Sequence, residues 1–226
     1  VIASYVGPED VVIDVGGGAG RVCLPLALKC KIALNVEPSP GMGAEFESLA
    51  QEAGIRNARL VPSSLAEAQA PQGDISFTAD VTYFVRDIPS FIRQMEAAAS
   101  RRVIITIWSE PPPNRHSKLF QLVYGEDQAA LPGQAQLLPV LWDMGILPDV
   151  QVMPESPWWE NQRPPTREEA IKMVVEDRVI KPDDRERAQS VFEAHFDELF
   201  TLSEAGFVPQ WRKEMREVLI TWETGS

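Results

Sequence analysis

The sequence predicts an α/β fold built on a doubly wound sheet with helices on both faces. Short apolar runs alternate with helix-length segments through the first 110 residues, the pattern of parallel strands joined by crossovers. The first run closes on a glycine cluster, Asp14-Val15-Gly16-Gly17-Gly18-Ala19-Gly20. The second closes on an acid, Glu37.

Val11 to Val15 is apolar apart from Asp14 and reads as a buried parallel strand. Arg21 to Lys29 has helical composition, with Pro25 kinking it or shifting its start. Ile32 to Val36 is a second strand, and Gly41 to Ala53 a helix that Gly54 ends. Ala58 to Pro62 is a third strand. Asp74 to Ala79, with Ile75, Phe77 and Ala79 alternating, is a fourth. Asp87 can cap a helix from Ile88 to about Ser100, and the β-branched run Val103 to Trp108 is a fifth strand. Residues 111–165 hold ten of the 19 prolines, so connections there are stiff and irregular. Helices fit around Asn114 to Tyr124 and Gln134 to Met144, and a sixth strand fits Asp149 to Met153. Thr166 with Glu169, and Asp183 with Glu186, are capping boxes that open two further helices. The second aligns Ala188, Phe192, Phe196 and Leu199 on one stripe. Arg216 to Glu223 reads as a final strand.

At 226 residues and 25.1 kDa the chain has room for one large domain with an insertion. A composition of 44% hydrophobic and 24% charged residues argues against disorder. No stretch approaches the roughly 20 apolar residues of a membrane-spanning helix. The formal net charge of −12 repels phosphate backbones. Arg101-Arg102 and Arg212-Lys213 are too short to form a basic patch, so neither a nucleic-acid nor a membrane partner is expected. Cys23 and Cys30 stand seven residues apart, roughly 10 Å along one helix face and beyond the reach of a disulfide. Two buried thiols in a reducing, cytoplasmic location is the expectation. The chain starts at Val1, and Val1 to Val6 reads as the tail of something longer, so a preceding segment is expected.

Glycines 16, 18 and 20 give G-x-G-x-G at the carboxyl end of the first strand. Such a turn lets backbone approach a ligand closely and aims the next helix at it. A dinucleotide fingerprint needs G-x-G-x-x-G. The sixth place is Arg21 counted from Gly16 and Cys23 counted from Gly18, so both registers fail. No G-K-[ST] follows, which excludes a P-loop. Glu37 lies 23 residues after Asp14 and can accept two hydrogen bonds from a ribose diol.

An acid before the glycines, G-x-G-x-G spacing and an acid closing the second strand together resemble the class I S-adenosylmethionine-dependent methyltransferases of small-molecule type. The resemblance covers about residues 5–110. It implies a Rossmann-like seven-stranded sheet in the order 3-2-1-4-5-7-6, with strand 7 antiparallel. It implies S-adenosylmethionine as cofactor and methyl transfer to an O, N or C nucleophile, mainly by proximity and alignment. Asp14, Gly16, Gly17, Gly18 and Gly20 match the first motif, and Glu37, Pro38, Ser39 and Met42 the second. Ser63, Ser64 and Leu65 stand where the family contacts the adenine edge, although many members carry an Asp there. Asp80 to Val85, with Asp80 and Val81 as the cofactor contacts, resembles the segment that lines the methionine moiety and the methyl-transfer position. Two other readings stay open: an NAD(P)-dependent oxidoreductase, and a non-catalytic binding module with the methyltransferase fold.

On this reading residues 1–226 form a single methyltransferase domain. Residues 1–110 make its cofactor-binding half, and 111–226 its substrate side. Strands six and seven normally form a short hairpin, but here about residues 154–214 intervene as a helical insertion expected to act as a substrate lid. Trp158 and Trp159 offer it an aromatic surface. Tyr83, Glu110, Trp158 and Trp159 are the candidate substrate contacts, with Tyr83 and His116 the candidate catalytic residues. His195 falls beside the Phe192–Phe196 stripe and reads as structural. No Cys/His cluster suggests a metal site. The partner expected is a small-molecule methyl acceptor, and a homodimer stays open. The first half carries −4 and the second −8.

Overall fold

A computed structural model describes residues 1–67, 72–154, 164–212 and 215–225. In chain order, β1 (Val11–Val15) leads through α1 (Cys23–Ala27) to β2 (Ile32–Val36), and α2 (Pro40–Glu52) to β3 (Ala58–Val61). Next come β4 (Gly73–Ala79), α3 (Ile88–Ala98) and β5 (Ala99–Trp108). The caps follow from the residues: Ser39 accepts the Met42 N–H, Asp87 accepts the Ser90 N–H, and Gly54 ends α2 at φ +69°. Beyond Trp108 lie α4 (Ser117–Tyr124), α5 (Gln134–Asp143), β6 (Asp149–Val152), α6 (Arg167–Val175) and α7 (Arg185–Ala194). The chain then forms α8 (Phe196–Leu199), β7 (Phe200–Ser203), β8 (Gly206–Pro209) and β9 (Glu217–Glu223).

The chain divides into two compact units. The first comprises Val1–Trp108, Gly133–Met153 and Glu217–Ser226, and the second Ser109–Pro132 and Pro154–Arg216. The first unit holds a seven-stranded sheet in the order β3-β2-β1-β4-β5-β9-β6. Strands β1 to β5 pair in parallel, and β9 runs antiparallel to both β5 and β6. With β9 counted as the seventh strand of the sheet, this is the order the resemblance implies. The central strands are buried on both faces, with Ile13, Ile75, Phe77, Ile104 and Ile105 fully enclosed. Cys23 and Cys30 are buried free thiols on the α1 side of this core.

One boundary departs from expectation. Strand β5 begins at Ala99, four residues before the apolar run. Its Arg101 and Arg102 are held by Asp10 and Glu223, each at 2.6 Å, so partners distant in sequence keep charged residues on a strand.

In the second unit α4, α6, α7 and α8 pack around Leu119, Val174, Ala188, Phe192 and Leu199, all 0% exposed. Thr166 accepts the Glu169 N–H and opens α6, as expected. The box expected at Asp183 and Glu186 does not form. Residues Pro182–Asp184 make a 3-10 turn, and the Asp184 carboxylate accepts from Tyr124 Oη at 3.0 Å instead of capping α7. The apolar stripe also divides at His195, with Phe196 and Leu199 on the separate turn α8. The β7–β8 hairpin was not anticipated. Its signal is the loop Glu204-Ala205, followed by Gly206 at φ +112°. Among the described residues no helix is long and apolar enough to cross a membrane.

Candidate functional site

Strands β1, β2 and β4 end at one edge of the first unit's sheet, where open α/β sheets hold their ligands. The glycine turn folds back there, its Gly16 N–H donating to Val36 O at 2.8 Å. Gly20 sits at φ +88°, and a Cβ on it would lie 2.5 Å from the Phe46 ring. Only glycine serves at that position.

Glu37 is 9% exposed and fixed from two sides. Its Oε2 accepts the Gly18 N–H at 3.0 Å and its Oε1 accepts the Ser39 N–H at 2.7 Å. Asn35 Nδ2 donates to Gly18 O at 2.8 Å, so strand β2 holds both sides of the turn.

Asp14 lies beneath the turn. The β1–β2 register sets it opposite Asn35. It is 1% exposed, and among the described residues no hydrogen bond within 3.5 Å reaches its carboxylate oxygens or Asn35 Oδ1. Burial pushes its carboxyl up to about 7. The Arg21 charge and the Cys23 amide pull it down, and Glu37 adds to the rise. Burial likewise pushes the Cys23 thiol up.

A cavity of ≈ 420 Å³ opens at this edge. Gly16, Glu37, Pro38, Ser64, Leu65, Asp80 and Val81 line it, seven of the residues singled out from the sequence. Gly17, Gly18 and Gly20 form the turn beside it. Ser39 and Met42 open α2 as exposed residues and are not part of the lining. Ser64 Oγ donates to Glu67 at 2.8 Å. Phe84, Val85, Phe91 and Gln94 also line the cavity. Phe84 and Val85 close the Asp80 to Val85 segment that the resemblance points to, whereas Phe91 and Gln94, one turn apart on α3, were not singled out.

Asp80 directly follows β4 at φ +60°, the one non-glycine residue with positive φ among those described. Its Oδ1 accepts from Tyr83 Oη at 3.2 Å, and Tyr83 Oη accepts the Trp108 N–H at 2.6 Å. Tyr83 is 4% exposed, and burial raises its hydroxyl well above the usual range. The Tyr83 oxygen is thus engaged on both sides, by Asp80 and by the Trp108 amide. Glu217 opens β9 opposite Trp108 and is half-buried. Burial first, and the negative charge of Asp80 second, raise its carboxyl. Nothing local in the sequence marks it.

The remaining expected residues lie elsewhere. His116 belongs to the second unit, where its Nδ1 lies 2.7 Å from Asp177 and its ring 5.5 Å from that of Trp211. Both partners belong to the same unit as His116. Glu110 also belongs to the second unit and lines a cavity of ≈ 220 Å³ with Asn114, Ser117 and Asp127. Trp158 and Trp159 lie outside the described residues. Among the described residues no group of three or more His, Cys, Asp or Glu is arranged to hold a metal ion.

Many solved structures share the fold. A putative methyltransferase from Bacillus halodurans aligns with a TM-score of 0.64 and 10% identity, over 100% of this chain and 96% of that one. A putative sarcosine dimethylglycine methyltransferase from Galdieria sulphuraria aligns with a TM-score of 0.60 and 14% identity, over 99% and 82%. Magnesium protoporphyrin IX methyltransferase from Synechocystis, solved with bound SAH, aligns with a TM-score of 0.54 and 20% identity, over 66% and 69%. At these identities the likeness is one of fold. No protein-family model matches the sequence, and no curated protein matches it either.

Proposed function

We propose that this protein is an S-adenosylmethionine-dependent methyltransferase acting on an oxygen, nitrogen or carbon nucleophile of a small molecule. The observation that carries the reading is the Glu37 carboxylate, fixed by the Gly18 and Ser39 amides and lining a cavity at the edge where β1, β2 and β4 end. Proteins of the same fold that hold SAM or SAH lend support.

The residues present fit this cofactor. A cavity of ≈ 420 Å³ lies within the range of small-ligand sites. Its walls are largely apolar, with carboxylates at Glu37 and Asp80. Glu37 would accept from the ribose hydroxyls, while Pro38, Ser64 and Leu65 would flank the adenine. When bound, the cofactor supplies a sulfonium methyl that is already electrophilic. The protein's own contribution is then alignment and exclusion of water, served by Leu65, Val81, Phe84 and Val85. A Cβ on Gly16 would lie 2.6 Å from Val81, so backbone and Val81 close the floor together.

Acceptor choice is assigned to the second unit, on the polar cavity there that includes Glu110. The two buried free thiols suit a reducing compartment, and the proposal extends to a cytoplasmic location.

Calorimetry tests the reading. S-adenosylhomocysteine is expected to bind the wild-type protein at micromolar level. Glu37→Ala is expected to weaken it roughly 100-fold, the loss of two hydrogen bonds to a charged acceptor at about 1.5 kcal/mol each. Absence of S-adenosylhomocysteine binding to the folded wild-type chain would sink the proposal.

A further inference from the structure

Trp211 and Arg212 stand just past β8, where the Gln210 N–H donates to Leu199 O at 2.8 Å and ties the chain to α8. Trp211 is 6% exposed and belongs to the core of the second unit. Its indole N–H has no hydrogen-bond partner among the described residues. A buried donor left unpaired is costly, and native chains keep few of them. The Arg212 guanidinium lies 4.9 Å from the centre of the Trp211 ring. Its one hydrogen bond among the described residues goes to the Met173 thioether at 3.6 Å, a weak acceptor. Asp177 is the acid whose charge acts on Arg212, but both its oxygens are engaged elsewhere. Oδ1 accepts the Val179 N–H at 3.1 Å, and Oδ2 lies 2.7 Å from His116 Nδ1.

Arg115 brings a second positive charge within electrostatic reach. Burial pushes both guanidinium groups below their usual value, and at Arg115 the Arg212 charge adds to the fall. Both stay charged all the same. Arg212 thus holds a cation partly out of water, beside an unpaired indole donor, in a chain where 33 acidic side chains outnumber 21 basic ones. We propose that Trp211 and Arg212 form a binding site for the carboxylate group of a small molecule. Arg212 takes its two oxygens, and the Trp211 indole N–H donates to one of them. The planar fork of a guanidinium matches two coplanar oxygens. The Asp177 charge alongside favours a ligand group of one negative charge over a phosphate dianion. Only the thioether contact and the ring face hold the Arg212 side chain over the indole, so it can swing aside and admit the ligand. All these residues belong to the second unit, and the site is independent of the cofactor reading.

The experiment titrates the full chain with sodium acetate, sodium phosphate and sodium chloride at constant ionic strength. The first readout is the indole N–H resonance of Trp211, the one of six that is lost in Trp211→Phe. The second is the thermal midpoint, which a ligand of the folded state alone must raise. In wild type, acetate is expected to shift the resonance saturably and to raise the midpoint, while chloride does neither. Arg212→Gln is expected to weaken acetate binding roughly 10- to 100-fold, the loss of a charge-assisted contact. Arg212→Lys keeps the charge without the fork and should recover part of that loss. Arg212 is partly exposed, so its variants carry the test through the midpoint even where Trp211→Phe fails to fold. An acetate response no larger than that of chloride overturns the inference. So does an acetate response unchanged in Arg212→Gln, or phosphate binding more tightly than acetate. Each of these results leaves the cofactor reading standing.

Discussion

Asp14→Asn is expected to stabilise the protein at pH 8 by up to about 4 kcal/mol. The carboxyl sits in the folded chain with a value raised from 3.8 to about 7. A difference of roughly three units at 1.36 kcal/mol each gives that ceiling. The sign follows from proton counting. Below pH ~4 Asp14 is neutral in both states and the fold suffers no penalty. Between ~4 and ~7 the unfolded chain ionises while the folded chain keeps its proton, so stability falls as pH rises. Above ~7 both forms are ionised and the penalty is constant. The charged and titratable groups near Asp14 are Arg21, Glu37 and Cys23. An amide at position 14 does not titrate and can donate to Asn35 Oδ1, which has no hydrogen-bond partner among the described residues. Urea unfolding at pH 4.5, 6 and 8 measures the effect. The variant's advantage should be small at the first pH and largest at the last. An advantage that does not change with pH would show that Asp14 does not hold a proton in the folded state.

Gly17→Ala is expected to remove S-adenosylhomocysteine binding, with a loss of at least about 100-fold. Conformation is not the obstacle, because Gly17 is not among the positive-φ glycines. Space is. An added Cβ would run into Asn35 Oδ1 and lie 2.7 Å from the Asp14 carboxyl. Neither neighbour can withdraw. Asn35 is 0% exposed and tied to Gly18 O, and Asp14 is enclosed in β1. Overpacking of this kind costs about 1–3 kcal/mol, and relief requires the turn to lift. Lifting it breaks the Gly18 contact that aims Glu37. Gly41→Ala is the control, since a Cβ there meets nothing within 4 Å. It should bind as wild type does, with a melting temperature unchanged or higher. Normal binding by Gly17→Ala would show that the turn is softer than its packing indicates.

The residues that gather at the carboxyl edge of the sheet were legible because their signals are local in sequence. Asp14 and Glu37 each end or nearly end an apolar strand, and the glycines between follow the first one. What stayed hidden depends on pairing across the sheet. Glu217 gains its place only through the ladder to Trp108, more than a hundred residues earlier. The Trp108 amide that donates to the Tyr83 hydroxyl reaches it only across the β4–β5 edge of the sheet. The Asp177 carboxylate beside His116 is about sixty residues away in sequence and could not be foreseen from it. The start of β5 was misplaced for the same reason, its arginines being matched by Asp10 and Glu223. Helix caps were readable where the partner is three residues on, at Thr166 and Asp87. They failed at Asp183, where the chain makes a 3-10 turn before α7 begins.

The place of β9 sets the order in which this protein can be completed on the ribosome. Strands β5 and β6 do not touch in the finished sheet, and each depends on β9 as the strand between them. Among the described strands β9 comes last in the chain. At about ten residues per second, the segment from Trp108 to Glu223 occupies the ribosome for about ten seconds. Throughout that interval the nascent sheet ends on the bare edge of β5, with Ile104, Ile105 and Ile107 unshielded on that side. A chaperone that recognises apolar strands therefore has a defined target and a defined time window, both closed by the arrival of seven residues.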